Sequence, residues 1–261
     1  MPPSVSVSRR WLRSALAVVL GLAVAGCFTF RSTVTVRPDG SGTLTETLAL
    51  SGPALRMTRA GDAPLSTPDG LALRAAALGS GVTLVRSDTA GGVRTTVYAF
   101  ADVRTLQYRF PDNATSETGP GAAGPPLFTF AFEPAHAAGE AAALGVVVPV
   151  LADATPAAVP DSAALARAVS SASVLRVLMG NARATVELVV EGTTVETDAS
   201  LRAGNTTTLV DLMMNDVLGV VEANPALSLR SLPPLDELRR LGAGRGGIAV
   251  QAPGTVTVRF R

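Results

Sequence analysis

Between Phe28 and Leu50 apolar and polar residues alternate on both sides of Pro38-Asp39-Gly40, and this pattern constrains the fold more tightly than any other in the chain. A period of two sends successive side chains to opposite faces of a strand. Phe28, Phe30, Val34 and Val36 share one face of the first run, and Arg31, Thr33, Thr35 and Arg37 share the other. Proline fixes φ for the turn and glycine supplies its positive φ, so the two runs predict an antiparallel hairpin. On the second run Leu44, Leu48 and Leu50 share a face with Glu46, a carboxylate that burial penalises unless it is paired. A bulge or a sheet edge at Glu46 would relieve that penalty; a functional site there is the competing reading.

The rest of the chain continues in the same idiom. "VTLVRSD" and "GVRTTVYAF" predict strands around Gly91-Gly92, and Leu106, Tyr108 and Phe110 alternate in "DVRTLQYRF". "LFTFAFE" puts Phe128, Phe130 and Phe132 on one face of a strand, and "VVVPVL" at 146–151 predicts another. "ARATVELVVEG" alternates Ala184, Val186, Leu188 and Val190 against Arg183, Thr185, Glu187 and Glu191. Gly192-Thr193 then predicts a type II′ hairpin into "TVETDASL", with Glu196 and Asp198 on its wet side. "TVTVRF" closes the series. Residues 68–81 predict a short helix stopped by glycine, 160–179 a longer one, and 211–218 and 234–241 two further helical pieces. Segments 111–125 and 134–144 are rich in small residues and read as flexible loops. Strands joined mainly by hairpins, with two or three short helices, predict an α+β fold with a mostly antiparallel sheet.

The N-terminus carries an address. Arg9, Arg10 and Arg13 precede the apolar run Ala15–Gly26, and no acidic residue occurs before Asp39. A positive region, a short apolar region and small residues are the parts of a secretory signal peptide. The run is shorter than the ~20 apolar residues a membrane-spanning helix needs. Val24-Ala25-Gly26-Cys27 resembles the bacterial lipobox. That resemblance implies cleavage between Gly26 and Cys27 and acylation of the Cys27 sulfur, with palmitate or a similar chain among the acyl groups. Residues 1–26 are then the signal peptide and 27–261 a body on a lipid tether. Two or three acyl chains suffice for stable anchoring, whereas one does not. Cys27 is the sole cysteine, so no thiol remains for a disulfide. Ser8-Arg9-Arg10-Trp11-Leu12-Arg13 also resembles a twin-arginine export motif, with Leu12 where that pattern prefers phenylalanine. Phe28 occupies the position where an aspartate would resemble an inner-membrane retention signal. The expected location is therefore the cell envelope, and the outer membrane if the bacterium has two membranes.

The hairpin after Cys27, "TVTVRPDGSGTLTETLAL", resembles the opening of LppM-type bacterial lipoprotein domains, in which a strand, an Asp-Gly-Ser-Gly turn and a second strand follow the lipobox. "VELVVEGTTVETDASLRAGNTTTLVDL" is similar to the hairpin-rich second half of envelope lipoproteins of that kind. The resemblance implies an envelope role with lipid or glycolipid contact.

Charge and composition exclude several functions. With the three arginines of residues 1–26 set aside, 19 basic residues face 21 acidic ones, and no lysine occurs. A scattered, near-neutral set of charges does not build the clustered basic face that a nucleic-acid partner requires. The only histidine, His136, lies among small residues in "EPAHAAGE" without a Gly-x-Ser-x-Gly elbow anywhere in the chain. No Schiff-base lysine and no zinc cluster of ordinary spacing is available, so neither a cofactor nor a metal is expected. Paired carboxylates such as Asp211 and Asp216, or Asp236 and Glu237, read more simply as helix-end and surface charges. "GAGRGG" at 242–247 resembles a phosphate loop but follows a helix and lacks its lysine, so it reads as a helix stop.

The expectation is a non-catalytic body. Its candidate apolar ligand contacts are Tyr108, Phe110, Phe128, Phe130 and Phe132, because aromatic residues are few and these concentrate on two strand faces. A packed core is the plain alternative for the same rings. Expected partners are the membrane, through Cys27, with a lipid or glycolipid ligand. The alternative is a structural or assembly protein that recruits envelope proteins, and a carboxylate-based hydrolase ranks third.

Overall fold

The computed structural model describes residues 28–50, 67–111, 126–137, 139–148, 176, 179–224 and 235–261. The strands form two sheets. The larger runs β10-β11-β8-β1-β2-β4-β3, with β12 also on β11, and the smaller runs β5-β6-β7-β13-β9. In the larger sheet these are β1 (Phe28–Val36), β2 (Gly42–Leu50), β3 (Thr83–Ala90), β4 (Val93–Phe100), β8 (Arg183–Val190), β10 (Arg202–Ala203), β11 (Thr206–Met213) and β12 (Ile248–Val250). The smaller holds β5 (Gln107–Tyr108), β6 (Phe128–Glu133), β7 (Ala142–Val148), β9 (Thr194–Thr197) and β13 (Gly254–Phe260). Three helices stand among the described residues: α1 (Pro68–Leu78), α2 (Met214–Ala223) and α3 (Leu235–Leu241). The fold is α+β, with all pairings antiparallel except β1 with β8.

The opening hairpin is as its alternation predicts. Its nine residue pairs run without a shift from Phe28↔Leu50 to Val36↔Gly42. Gly40 takes φ +85°, and the Asp39 carboxylate accepts from the Ser41 amide at 2.9 Å and the Ser41 hydroxyl at 2.7 Å. That Asx turn holds the loop together with the Val103 amide, which donates to the Gly40 carbonyl at 2.9 Å. One face of each sheet contributes to a single contiguous core. Val34, Val36, Leu44, Tyr98 and Phe100 meet Phe128, Phe130, Leu144, Val146, Val256 and Phe260, and α2 adds Val217 and Val220. The helix over 68–81 forms as α1, capped by the Thr67 hydroxyl on the Gly70 amide at 3.1 Å.

Several elements depart from expectation. Thr194–Thr197 does not fold back on β8. Thr193 and Arg261 exchange backbone hydrogen bonds at 2.7 and 3.1 Å, which draws β9 onto β13 in the other sheet. The strand expected over 102–110 is reduced to β5, because Val103–Thr105 forms a 3-10 turn capped by the Asp102 carboxylate. β7 begins at Ala142, inside the segment expected as loop, because its alternating residues pair with both β6 and β13. The helical piece expected over 211–218 is strand to Met213 and helix from Met214. The helix expected over 160–179 lies outside the described residues except at Arg176 and Met179, both helical.

Candidate functional site

The predicted aromatic residues fall into one wall of the core. Tyr108 on β5 stands opposite Phe128 on β6, with ring centroids 6.0 Å apart and planes at 25°. Phe110 meets Tyr108 edge-on at 6.1 Å and Phe30 edge-on at 6.3 Å. Such offset and edge-on pairs are the favoured aromatic geometries. Phe130 and Phe132 continue along β6, and the Phe132 ring packs beneath the Gly40 turn. The structure thus brings Tyr108, Phe110 and Phe128 together, adds Phe30 from the opposite sheet, and leaves Phe130 and Phe132 further along the same wall. Tyr108 and Phe128 have no exposed surface and Phe132 only 9%, so these rings are core walls; Phe110, half-buried, is the one that reaches the surface.

Beside the rings runs a polar row across the inner face of the larger sheet. Register places Ser32, Glu46, Thr96 and Ser87 side by side on β1, β2, β4 and β3. The expected bulge or edge at Glu46 is absent: β2 is an interior strand and its pairing is continuous on both sides. The carboxylate is paired instead. Arg74 reaches down from α1 and donates to Glu46 Oε1 through Nη2 at 2.5 Å and through Nε at 3.2 Å. Its Nη2 also donates to the Arg109 carbonyl at 2.7 Å. Both side chains are buried, 5% exposed for Arg74 and 10% for Glu46. Burial works to lower the Arg74 pKa, but the adjacent Glu46 charge and hydrogen bonds outweigh it and raise it.

The hydroxyls of this row feel the same charges. Burial, followed by the Glu46 charge, pushes Tyr98 up to about 12, with Arg74 and Arg94 opposing. Tyr108 rises further for the same two reasons, opposed by Ser32 and Arg74. The Ser32 and Tyr108 hydroxyls are neighbours, and among the described residues neither has a hydrogen-bond partner other than the other. Arg94 sits opposite Leu48, one step further toward the Phe28 end, half-buried, and burial lowers its pKa. The result is a saturated ion pair and two neighbouring buried hydroxyls at the middle of β1 and β2, with the ring cluster beside them toward the end where β1 begins.

Arg74 and Phe30 are the residues sequence reasoning missed as site members. The signal for Arg74 was present: Leu71, Ala75 and Leu78 mark the buried stripe of α1, and Arg74 lies on it.

The other candidates remain apart. His136 is exposed, and its amide and that of Ala137 donate to the Glu140 carboxylate at 2.9 and 3.1 Å. Asp211 is not at a helix end; it lies on β11, where Arg183 grips it at 2.7 and 2.5 Å. Asp236 and Glu237 occupy the first turn of α3, and 242–247 is the turn after it. Among the described residues no group of three or more histidine, cysteine, aspartate or glutamate side chains could hold a metal ion. Also among them, no helix is long and apolar enough to cross a membrane. Gly26 and Cys27 lie outside the described residues, with Cys27 directly before β1.

No family model matches this chain, and no curated protein matches it. Among solved structures it is similar to the folded domain of the Mycobacterium tuberculosis LppM protein, determined by NMR. The likeness covers 90% of this chain and 89% of that one at 9% identity, with a TM-score of 0.31. A likeness that distant transfers neither ligand nor role to this chain.

Proposed function

We propose that this chain is a lipid-anchored protein of the bacterial cell envelope whose body is a non-catalytic module for a lipid or glycolipid. The observation that carries the reading is the juxtaposition of the Phe30–Phe110–Tyr108–Phe128 rings with the neighbouring buried Ser32 and Tyr108 hydroxyls. Apolar walls with a few convergent polar groups are what an amphiphile requires. In this reading Phe110, the half-buried ring, is the point of entry for an acyl stem. The resemblance of Val24–Cys27 to a lipobox supports the anchor, and a body hung from a bilayer has a ready source of such a ligand.

Native mass spectrometry of the protein with extracted envelope lipids tests this. Retained lipid that is lost on Phe110→Ala supports the module. If no lipid binds, the assembly reading replaces it. That second reading has its own observation: β3 is an edge strand exposed along its whole length, with Leu84 38% and Val85 57% exposed. Such an edge can take a partner's strand. The non-enzyme reading predicts that His136→Ala leaves every property of the protein unchanged, and a hydrolytic activity abolished by that substitution would end it.

A further inference from the structure

On the anchored reading, the end of the larger sheet at which β1 begins is the end held at the membrane. Phe28 is the first residue of β1 and follows Cys27 directly, so this holds for an acylated cysteine and equally for an uncleaved apolar segment. Register shows what shares that end. Phe28 lies opposite Leu50, Thr29 opposite Ala49, and Ala49 opposite Val93, which closes the Ala90-Gly91-Gly92-Val93 hairpin tip. Leu50 is tied to that tip by its amide on the Gly92 carbonyl at 3.0 Å. Arg94 stands beside Leu48. On the other side Thr29 neighbours Arg183 and then Met213, whose amide donates to the Gly247 carbonyl at 2.7 Å and so brings the Arg245 turn to the same rim.

The surface chemistry of this rim is that of an interface. Val93 is 38% exposed, Ala90 and Gly91 are exposed, and Phe28, Leu48 and Leu50 are half-buried. Asp211 is neutralised by Arg183, and Asp88 stands 3.8 Å from Arg86. Asp216 lies beside Gly247. Neither Arg94 nor Arg245 has an ion-pair partner among the described residues. We infer that this rim docks on the bilayer, with the Ala90–Val93 tip and Leu50 at the acyl boundary and Arg94 and Arg245 among anionic headgroups. Apolar residues flanked by cations bind such a surface, with the apolar part sunk about 5–10 Å. The opposite end, formed by Pro38-Asp39 and Gly192-Thr193, stands off by the length of β1, roughly 26 Å at about 3.3 Å per residue. Docking also turns the Phe30–Phe110 end of the core toward the lipid.

The inference rests on the anchored reading, and one reporter separates the two. The chain has a single tryptophan, Trp11. In a Trp11→Phe background, Val93→Trp or Thr193→Trp provides one fluorophore at either end of the full chain. The protein is purified with its native N-terminus from its own membrane and reconstituted into vesicles of neutral or anionic lipid carrying brominated acyl chains. Intact mass of the same sample reports the anchor. The tryptophan at position 93 is expected to be quenched and blue-shifted on anionic vesicles while that at position 193 keeps its solution spectrum. Adding Arg94→Gln lowers the docked-to-free ratio about fivefold, since a basic residue near an anionic surface contributes about 1 kcal/mol. Quenching with no acyl mass removes the acyl anchor and keeps the docked rim. Acyl mass with equal spectra at both positions, or quenching at position 193 alone, overturns the docked rim and leaves the anchor standing.

Discussion

At the scale of single residues, the Glu46–Arg74 pair and the two tyrosines beside it decide how this core behaves. Removing one member of a buried ion pair strands the other charge, which costs about 3–5 kcal/mol. Arg74→Met is expected to destabilise the protein by that amount in denaturant titration. The double variant Glu46→Leu/Arg74→Met leaves no stranded charge and recovers most of the loss. A small effect of the single change would mean that Glu46 reaches water. The tyrosines give a second reading of the same burial. Tyr98 and Tyr108 are the only two in the chain, and Tyr98 ionises at about 12 when folded against an ordinary value of 10.0. Tyr108 is shifted the same way. Between those pH values the unfolded chain holds fewer protons, so stability is intact below about pH 10 and falls as pH rises through about 12, by about 1.4 kcal/mol per pH unit for each tyrosine. Tyrosinate absorbance of the folded protein should stay low past pH 10 and rise with unfolding. Two groups titrating near 10 with the fold intact would contradict the burial of both rings.

At the scale of elements, the opening hairpin has no spare room. A Cβ on Gly42 would stand 2.0 Å from the Thr35 carbonyl oxygen and 2.7 Å from the Phe100 ring, so β1, β2 and β4 close on a position with no side chain. Gly42→Ala is expected to cost about 1–3 kcal/mol of stability through overpacking. An unchanged melting temperature would show that the strands can separate there. This hairpin was also the most legible part of the sequence, because alternation and turn chemistry are local and agree. What depends on distant partners was not legible. Glu46 was visible as an anomaly, but its partner lies 28 residues away on a helix. Thr194–Thr197 has strand composition, yet nothing local says that Arg261 will draw it to the other sheet. The parallel pairing of β1 with β8 is likewise set by the core and not by any turn. The ring cluster was legible as a concentration of aromatic residues. Its Phe30 member was hidden because that residue belongs to the opposite sheet.

At the scale of the whole molecule, the start of β1, where the proposed tether would join, shares one end of the sandwich with the rim and the ring cluster. In the proposed arrangement a body hung from Cys27 presents Phe28, Val93 and Arg94 to the bilayer and keeps the Pro38–Asp39 turn in solvent. Cys27→Ala is expected to leave fold and tyrosine titration unchanged and to release the protein from the membrane fraction or leave its signal peptide uncleaved, because in the proposed reading the residue carries the acyl groups. The measurement that bears most directly on the account is the intact mass of the native protein extracted from its membrane. The account predicts a chain that begins at Cys27 and carries the added mass of acyl groups. A chain that still contains Trp11, or one that begins at Cys27 without lipid mass, would contradict it.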